Sequence, residues 1–315
     1  MGHSPGPSSV PDPAAPNTAR IYNFLIGGSI HDPADRAAAG RILADFPEFG
    51  HIARANRAFV GRAVRYVAAQ GVTQFIDAGT GLPAPPAIHE TARRVNPGTR
   101  VAYVDDDPVV LAHARDAAAG QAGLAVVPGD LRDTTAILRS ADLQPIDLSQ
   151  PVCVVLTSVL HLLPPAVADA AVAGFRSAMV AGSFLAVTCG TSTGTSPAFL
   201  ERLRSVYADT SDITGRPAGE IAAWFTGLDL ARRGSSTCRP GAPTPAPRSR
   251  PPSPPGSSAA WRARQGPGRL RRRLSRPGYD GHACHHDRRC RISPRGRYRS
   301  RRAPVPSGGP PSRRE

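Results

Sequence analysis

An acidic residue and two glycines stand together in residues 74–84, which read Q-F-I-D-A-G-T-G-L-P-A. Asp77 follows a short apolar run, and Gly79 and Gly81 come directly after it, one residue apart. A ligand can lie against bare backbone at such a turn, because glycine has no Cβ to hold it off. The stretch therefore predicts a buried strand that runs into a nucleotide-binding turn.

The turn is compatible with two nucleotide cofactors, NAD and S-adenosylmethionine. Residues 79–84 match the loose dinucleotide pattern G-x-G-x-x-G/A, and a lone match of that kind is weak. With Asp77 they give D-x-G-x-G, in which the strand-end acid helps to orient the methionine portion of S-adenosylmethionine. Pro83, Pro85 and Pro86 crowd the start of the next helix, which leaves few free N–H groups for the pyrophosphate of NAD. We favour S-adenosylmethionine and keep an NAD-dependent oxidoreductase as the alternative.

Further aspartates follow the next two predicted strands. Asp105 ends an apolar run and is the best candidate to accept two hydrogen bonds from a ribose diol. Asp106 is expected to be solvated, and Asp107 before a proline is typical of a helix N-cap. Asp130 could accept from an adenine amino group or cap the next short helix. The predicted cofactor-binding residues are Asp77, Gly79, Thr80, Gly81, Asp105, Asp106, Asp130 and Leu131.

The segment after the fourth predicted strand, T-S-V-L-H-L-L-P, supplies the candidate catalytic residues Ser158 and His161. Methyltransferases often place residues of the acceptor side here, so both should lie near the transferred methyl group. His161 could act as a general base or simply pack beside its leucine neighbours. The segment lacks the Asn/Asp-Pro-Pro-aromatic signature used on planar nitrogens, which makes a nucleic-acid base an unfavoured acceptor.

The elements that position these residues form an alternating α/β pattern. The predicted strands are continuous apolar runs, as expected of a doubly wound, mostly parallel sheet with a Rossmann-like arrangement. They span 74–78, 100–105, 124–128, 152–157 and 183–189, with a sixth beginning at 227–230. Helices are predicted at 85–95, 108–119, 133–140, 165–180, 197–208 and 217–225, and three more precede the sheet, at 18–28, 33–46 and 51–70.

Composition divides the chain into four parts. Residues 1–16 are predicted to be disordered, 17–72 to form a helical extension, and 73–230 to form the nucleotide-binding domain. Residues 231–315 hold 22 arginines, 15 prolines and three acids, so they carry all of the excess in a net charge of +15. Such a segment cannot bury enough apolar surface to offset its ordering entropy, and we predict a disordered tail.

The tail raises a second alternative, a non-enzymatic protein whose basic tail contacts nucleic acid. Arginine at this density attracts polyanions whatever its origin, so we expect weak polyanion binding and no specific nucleic-acid partner. The tail also holds a group of histidines and cysteines whose spacing fits no common zinc pattern, and no metal is expected. These residues are His282, Cys284, His285, His286 and Cys290.

The remaining features indicate a cytoplasmic protein with no membrane association. The five cysteines are odd in number and widely spaced, which argues against a disulfide framework. No run of about 18 apolar residues occurs, and the N-terminus lacks the basic and apolar regions of a signal peptide. We therefore expect a cytoplasmic enzyme with a small-molecule substrate.

Six ordered blocks over about residues 17–230 resemble the S-adenosyl methyltransferase family, long described as a domain of unknown function. They are N-T-A-R-I-Y-N-F-L-I-G-G, A-D-R-A-A-A, A-R-A-N-R-A-F-V-G-R-A-V-R-Y, F-I-D-A-G-T-G-L-P, V-A-Y-V-D-D-D-P-V-V-L-A-H-A-R and G-D-L-R-D. The resemblance implies a class I methyltransferase fold whose N-terminal helices cover the cofactor. It would place Asp77, Gly79 and Gly81 at the methionine end, Asp105 at ribose and Asp130 near adenine. It implies no particular methyl acceptor.

The chain departs from the family pattern in two places. After Gly28 the sequence reads S-I-H-D-P-A-D-R where the family has a polar-aromatic stretch; Tyr22 and His31 are the lid residues that could face the pocket. After Leu230 the arginine-rich tail replaces an ending of ordinary composition. We hypothesise a frameshift near residues 230–233, which translation of the other two frames would test. Loss of the closing strands would leave the sheet an unprotected edge and an unstable or inactive product.

Overall fold

The computed structural model describes residues 15–208, 210–211, 213–231, 236–238 and 257–263, the last two segments by their backbone alone. All of them belong to one compact unit, Met1–Gly268. The predicted N-terminal disorder falls on residues that lie almost wholly outside the described part of the chain. Most of the predicted disordered tail, with its histidines and cysteines, also lies outside it, so disorder at both ends stays a prediction.

Three helices precede the sheet, as the sequence predicts: α1 (Thr18–Leu25), α2 (Pro33–Asp45) and α3 (Phe49–Ala69). Asn17 caps α1 by accepting from the Arg20 backbone N–H, which satisfies one of the donors left free at a helix start. Pro33 occupies the first turn of α2, where its missing N–H costs nothing.

The strands of the described residues are β1 (Gln74–Ala78), β2 (Arg100–Asp105), β3 (Leu124–Pro128), β4 (Cys153–Thr157), β5 (Phe184–Gly190), β6 (Asp229–Leu230), β7 (Ser236–Cys238) and β8 (Ser257–Ala263). They form one sheet in the order β3-β2-β1-β4-β5-β8-β6, with β7 paired to β8. Strands β1–β5 are parallel, and β8 runs antiparallel to β5 and β6. The helices among them are α4 (Ile88–Arg93), α5 (Pro108–Ala118), α6 (Thr134–Arg139), α7 (Pro165–Ser177), α8 (Pro197–Tyr207) and α9 (Ala218–Ala223).

Successive side chains of each central strand enter opposite cores, because strand residues alternate between the two faces of a sheet. Phe75 on β1 packs with α3 and α4, whereas its neighbour Ile76 packs with α6 and α7 on the other face. Both faces are therefore covered, which explains why the strands read as continuous apolar runs. The predicted doubly wound, Rossmann-like α/β fold is confirmed.

The largest boundary error concerns the helix after the glycine turn. The sequence predicted 85–95, but α4 begins only at Ile88 because Pro85 and Pro86 occupy an irregular segment before it. The predicted sixth strand is likewise reduced to the two residues of β6.

Two segments of the predicted disordered tail form strands. The backbone of β8 pairs with β5 from Phe184↔Ala263 to Gly190↔Ser257, and β7 pairs with β8. The edge of β5, which loss of the closing strands would have left unprotected, is thus occupied by an antiparallel strand that satisfies its backbone groups.

The N-terminal helices have a core of their own. Ile21 and Leu25 of α1 pack with α2, the start of α3 and Leu203 of α8 in a third apolar cluster. A buried ion pair joins the first two helices, with Arg20 Nε donating to Asp35 Oδ2 over 2.8 Å. In the described part of the chain no helix has the length and apolarity needed to cross a membrane.

Candidate functional site

A cavity of about 620 Å³ opens at the carboxyl ends of the parallel strands. It lies where β1 and β4 are neighbours although the chain leaves them in opposite directions, the usual ligand position in such sheets. We call residues 77–84, 105–107, 129–132, 157–164 and 188–191 the sheet wall. We call residues 16–26, 49–60, 199–207, 210–211 and 213–215, which contribute the other lining side chains, the lid wall.

The sheet wall brings together every predicted cofactor-binding and catalytic residue. The lining set contains Asp77, Gly79, Thr80, Gly81, Asp105, Asp106, Asp130, Leu131, Ser158 and His161. Tyr22 of the lid wall also lines the cavity. His31 does not belong to the lining set, since its ring packs edge-on against Phe24 and contacts the Arg36 guanidinium.

The glycine turn is built for close approach. Gly79 and Gly81 have φ angles of 73° and 63°, a region that residues with a Cβ rarely adopt. A Cβ on Gly79 would come within 2.5 Å of the Val159 side chain, so this glycine lets the turn pack against the segment after β4. A Cβ on Gly81 would meet nothing within 4 Å, which leaves its backbone open to the cavity.

Asp77 is buried beneath the turn. Its Oδ2 accepts a hydrogen bond from Thr80 Oγ1 over 2.7 Å. Burial raises its pKa to about 6, and this effect outweighs the hydrogen bond and the nearby Arg57 guanidinium, which both lower it. A cationic group bound in the cavity would favour the ionised carboxylate.

Asp105 holds the turn to the end of β2. Its two oxygens accept from the backbone N–H groups of Gly81, at 2.9 Å, and Asp107, at 3.1 Å. Burial raises its pKa to about 6. Each carboxylate oxygen keeps acceptor capacity for a ribose hydroxyl. Asp106 is exposed, and Asp107 caps α5 through Val109 N–H, which confirms its predicted role as a cap.

Asp130 performs the capping role that we had weighed against adenine contact. Its Oδ1 accepts from the Arg132 backbone N–H over 2.8 Å at the start of the 3-10 turn Leu131–Asp133. The Arg132 guanidinium also lies 3.1 Å from Asp130 Oδ2. Capping does not exclude adenine contact, so that role remains a prediction.

Ser158 has a backbone conformation that marks it out at the end of β4. Its φ is 56°, the one positive value among the described residues other than glycine. Its N–H donates to Thr188 Oγ1, at 2.9 Å, and lies 3.1 Å from the Thr188 carbonyl oxygen. Strained backbone of this kind clusters at functional sites.

His161 lies in the 3-10 turn after β4, where burial favours its neutral form. Burial lowers its pKa to about 4. Its Nδ1 lies 3.4 Å from the Gly190 backbone nitrogen, whose N–H donates to it. The proton of the neutral ring is then on Nε2, which makes that nitrogen a donor. A general base would have to work through an Nδ1 that is already engaged.

Two lid-wall residues escaped the sequence reasoning, Asn56 and Arg57 on α3. Asn56 Nδ2 donates to Tyr22 Oη and to Ser158 Oγ, both over 2.8 Å, while its Oδ1 is buried without a partner. Arg57 donates to the carbonyl oxygens of Ala84 and Pro86 and so fixes the loop after the glycine turn. A signal existed, because Asn56 interrupts the apolar stripe of α3 one turn after Ile52.

These features fit S-adenosylmethionine better than a dinucleotide. The cavity volume is typical of a small-molecule site, and the open backbone at Gly81 and the acceptor oxygens of Asp105 suit a nucleoside. Helix α4 begins seven residues after Gly81, so no helix N-terminus reaches the turn to bind a pyrophosphate. Among the described residues, no group of His, Cys, Asp and Glu side chains could hold a metal ion.

Comparison with known proteins agrees with this chemistry. The S-adenosyl methyltransferase family matches residues 7–250, beyond both ends of the blocks recognised in the sequence. The crystal structure of a candidate methyltransferase from Thermobifida fusca YX superposes with a TM-score of 0.73 at 34% identity, covering 80% of this chain and 96% of that one. A DUF574 family protein from Streptomyces avermitilis MA-4680 gives a TM-score of 0.71 at 30% identity, covering 79% and 98%.

No curated protein matches the chain. The family match over residues 7–250 nevertheless includes the cavity and both of its walls. S-adenosylmethionine is therefore the cofactor, and the chain belongs to the S-adenosyl methyltransferase family, with a class I methyltransferase fold.

Proposed function

We propose that this protein transfers the methyl group of S-adenosylmethionine to a small, uncharged and largely apolar acceptor. The observation that carries the proposal is the composition of the lid wall. The lid-wall side chains that line the cavity are apolar or neutral, apart from Arg57, whose guanidinium is bound to the loop after the glycine turn. They include Ile26, Phe49, Ile52, Phe199, Leu200, Leu203, Tyr207 and Ile213.

The charged residues of the cavity are concentrated on the sheet wall. Asp77 would face the methionine end of the cofactor, Asp105 its ribose, and Asp130 with Leu131 its adenine. Thr80 holds the Asp77 carboxylate, and Asp106 lies at the exposed rim. This arrangement leaves the lid wall for the acceptor, whose chemistry its neutral side chains would select.

When bound, S-adenosylmethionine supplies an electrophilic methyl group on a sulfonium. The protein then has to align the acceptor with that methyl and keep water away, which needs no metal. We assign acceptor positioning to Ser158 and His161, with Nε2–H of His161 as a donor to the acceptor. A neutral donor of this kind suits a hydroxyl or carbonyl oxygen better than a cationic amine.

The alternatives have less physical support. An NAD-dependent oxidoreductase would need a helix N-terminus at the glycine turn to bind the pyrophosphate. In this chain α4 starts only at Ile88, away from the turn. Nucleic-acid contact by the tail depends on residues outside the described part of the chain. A cytoplasmic location remains a prediction.

Two measurements test the proposal. Calorimetric titration should show micromolar binding of S-adenosylhomocysteine and none of NAD. Transfer of radiolabelled methyl groups should then be compared across neutral phenols and alcohols and their carboxylated or aminated counterparts. Binding of NAD alone, or transfer only to charged acceptors, would contradict the proposal.

A further inference from the structure

Asn56 combines three properties found together at no other residue that lines the cavity in the described part of the chain. Only 9% of the surface of this lid-wall residue is exposed, and it contacts Ser158 of the sheet wall. Its amide nitrogen is saturated by two hydroxyl partners. Its carbonyl oxygen has no partner. A buried acceptor that lacks a donor is costly, so the empty position calls for a ligand group.

The orientation of the amide follows from its neighbours. Tyr22 Oη donates its only proton to the Ala53 carbonyl oxygen, at 3.2 Å. The same hydroxyl must therefore accept from Asn56, which places the amide nitrogen towards Tyr22 and Ser158. The carbonyl oxygen is left on the unpaired side, and the missing partner must be a hydrogen-bond donor.

The position of Asn56 selects the donor. Its partner Ser158 follows β4, which pairs with β1, and the adjacent Arg57 reaches the loop after the glycine turn. Asn56 thus lies above the strand ends where Asp77 would orient the methionine portion of the cofactor. The α-ammonium of that portion is a strong donor that must lose water on binding, and an amide oxygen is a suitable acceptor for it.

We propose that Asn56 Oδ1 accepts a hydrogen bond from the α-ammonium of the cofactor, so that α3 fastens the lid to its methionine end. The inference rests on the proposed function, because it requires S-adenosylmethionine in the cavity. It adds a lid residue to a cofactor site that the sequence places entirely on the sheet wall. It also explains how the lid could respond to the bound cofactor, since Asn56 joins Tyr22 to Ser158.

The test uses two ligands that differ at the group in question. S-adenosylhomocysteine carries the α-ammonium, whereas 5′-methylthioadenosine keeps the nucleoside and sulfur but lacks the amino-acid portion. Calorimetric titration of the full chain should show that Asn56→Leu lowers the affinity for S-adenosylhomocysteine about tenfold, equivalent to about 1.4 kcal/mol. The affinity for 5′-methylthioadenosine should be unchanged. Asn56→Asp keeps an acceptor oxygen and should retain or improve binding of S-adenosylhomocysteine.

The outcomes separate this inference from the proposed function. If the unaltered protein fails to bind S-adenosylhomocysteine, the proposed function falls. The unaltered protein could bind S-adenosylhomocysteine while Asn56→Leu lowers the affinity for neither ligand, or for both equally. That result would refute the contact with the α-ammonium, and Asn56 would then face the acceptor or serve packing alone. A thermal unfolding curve of each variant shows whether it is folded. If Asn56→Leu does not fold, the binding of the two ligands to Asn56→Asp still decides the test.

Discussion

The two walls of the cavity are built by different means. The sheet wall consists of backbone and side chains at or directly after the ends of the parallel strands β1–β5, so each part is set by a strand a few residues away. The lid wall consists of side chains from distant helices, and its contacts bridge long stretches of chain. Asn56 meets Ser158, and Thr18 Oγ1 lies 2.7 Å from Ser211 Oγ.

The walls also differ in what stabilises them. The sheet wall is an extension of two large cores that cover the sheet, whereas the lid helices α1 and α2 pack in a third apolar cluster. Asn17 links the lid wall to the sheet wall, since it caps α1 and its Nδ2 donates to Asp107 Oδ2 over 2.5 Å. The lid can therefore be weakened by changes that leave the sheet intact, and the reverse should also hold.

The largest effect is expected from Asp35→Ala in the lid. Asp35 is fully buried and accepts from Arg20 Nε and from the backbone N–H groups of Asn17 and Asp32. Its removal leaves the buried Arg20 cation without this partner, which should cost about 3–5 kcal/mol of unfolding free energy. Hydrogen exchange should show faster exchange in α1 and α2 with little change in β1–β4.

The matched control is Asp45→Ala, which removes the exposed pair that Asp45 Oδ2 forms with Arg202 Nε over 2.6 Å. Exposed pairs contribute little, so its denaturation midpoint should be close to that of the unaltered chain. Equal destabilisation by both variants, or loss of protection throughout the sheet after Asp35→Ala, would break the distinction between the walls.

The second effect concerns the sheet wall, where Gly79→Ala adds a Cβ at a φ of 73° and 2.5 Å from Val159. The backbone conformation and the overlap together should cost about 3 kcal/mol and reduce S-adenosylhomocysteine affinity by more than about tenfold. Chemical denaturation and calorimetric titration measure the two losses.

Gly40→Ala is the control, because Gly40 lies within α2 with nothing within 4 Å of the added Cβ. It should stabilise the protein by up to about 1 kcal/mol through helix propensity, without affecting binding. If Gly79→Ala bound S-adenosylhomocysteine normally, the turn could not be the place where the cofactor meets bare backbone.

This contrast explains how far the sequence could be interpreted. The sheet wall was predictable because strand ends, glycines and acids are local signals, and all ten predicted site residues line the cavity. The roles of Asn56 and Arg57 were not, since their partners lie on remote elements that only tertiary structure brings together. The φ of Ser158 had no local signal either, because serine has no intrinsic preference for that region.

The boundary errors have a similar origin. The prolines before α4 were recognised as tolerable in a first turn, yet the helix starts after them at Ile88. The β7 and β8 strands were missed because their sequences are embedded in arginine and proline. The pairing of β8 with β5 and of β7 with β8 is a tertiary effect that outweighs composition.

The third prediction uses pH to separate stability from binding on the sheet wall. The folded pKa values of Asp77 and Asp105 are about 6, raised from 3.8 by burial. The folded state therefore holds these protons more tightly than the unfolded chain. Their contribution to the unfolding free energy of the ligand-free protein should fall as pH rises from about 4 to about 6, with no further loss above that range.

Asp77→Asn removes one of these ionisations and keeps an oxygen for Thr80 Oγ1. Above pH 6 this variant should be more stable by on the order of 2 kcal/mol and should bind S-adenosylhomocysteine more weakly, because the carboxylate no longer attracts the ligand's ammonium. Denaturation midpoints across pH 4–8 measure the first effect and titration the second. Asp116→Asn, at an exposed position on α5, is the control; a variant that lost stability above pH 6 would contradict the argument.

The smallest effect is expected from Tyr22→Phe on the lid wall. The hydroxyl accepts from Asn56 Nδ2 and donates to the Ala53 carbonyl oxygen, so its loss should cost about 1 kcal/mol. Because the ring and Asn56 Oδ1 remain, S-adenosylhomocysteine affinity should change by less than about twofold, in contrast to Asn56→Leu. A larger loss of affinity would mean that Tyr22 itself contacts the cofactor, and the polar contact of the lid would have to be assigned to its hydroxyl instead of the amide oxygen.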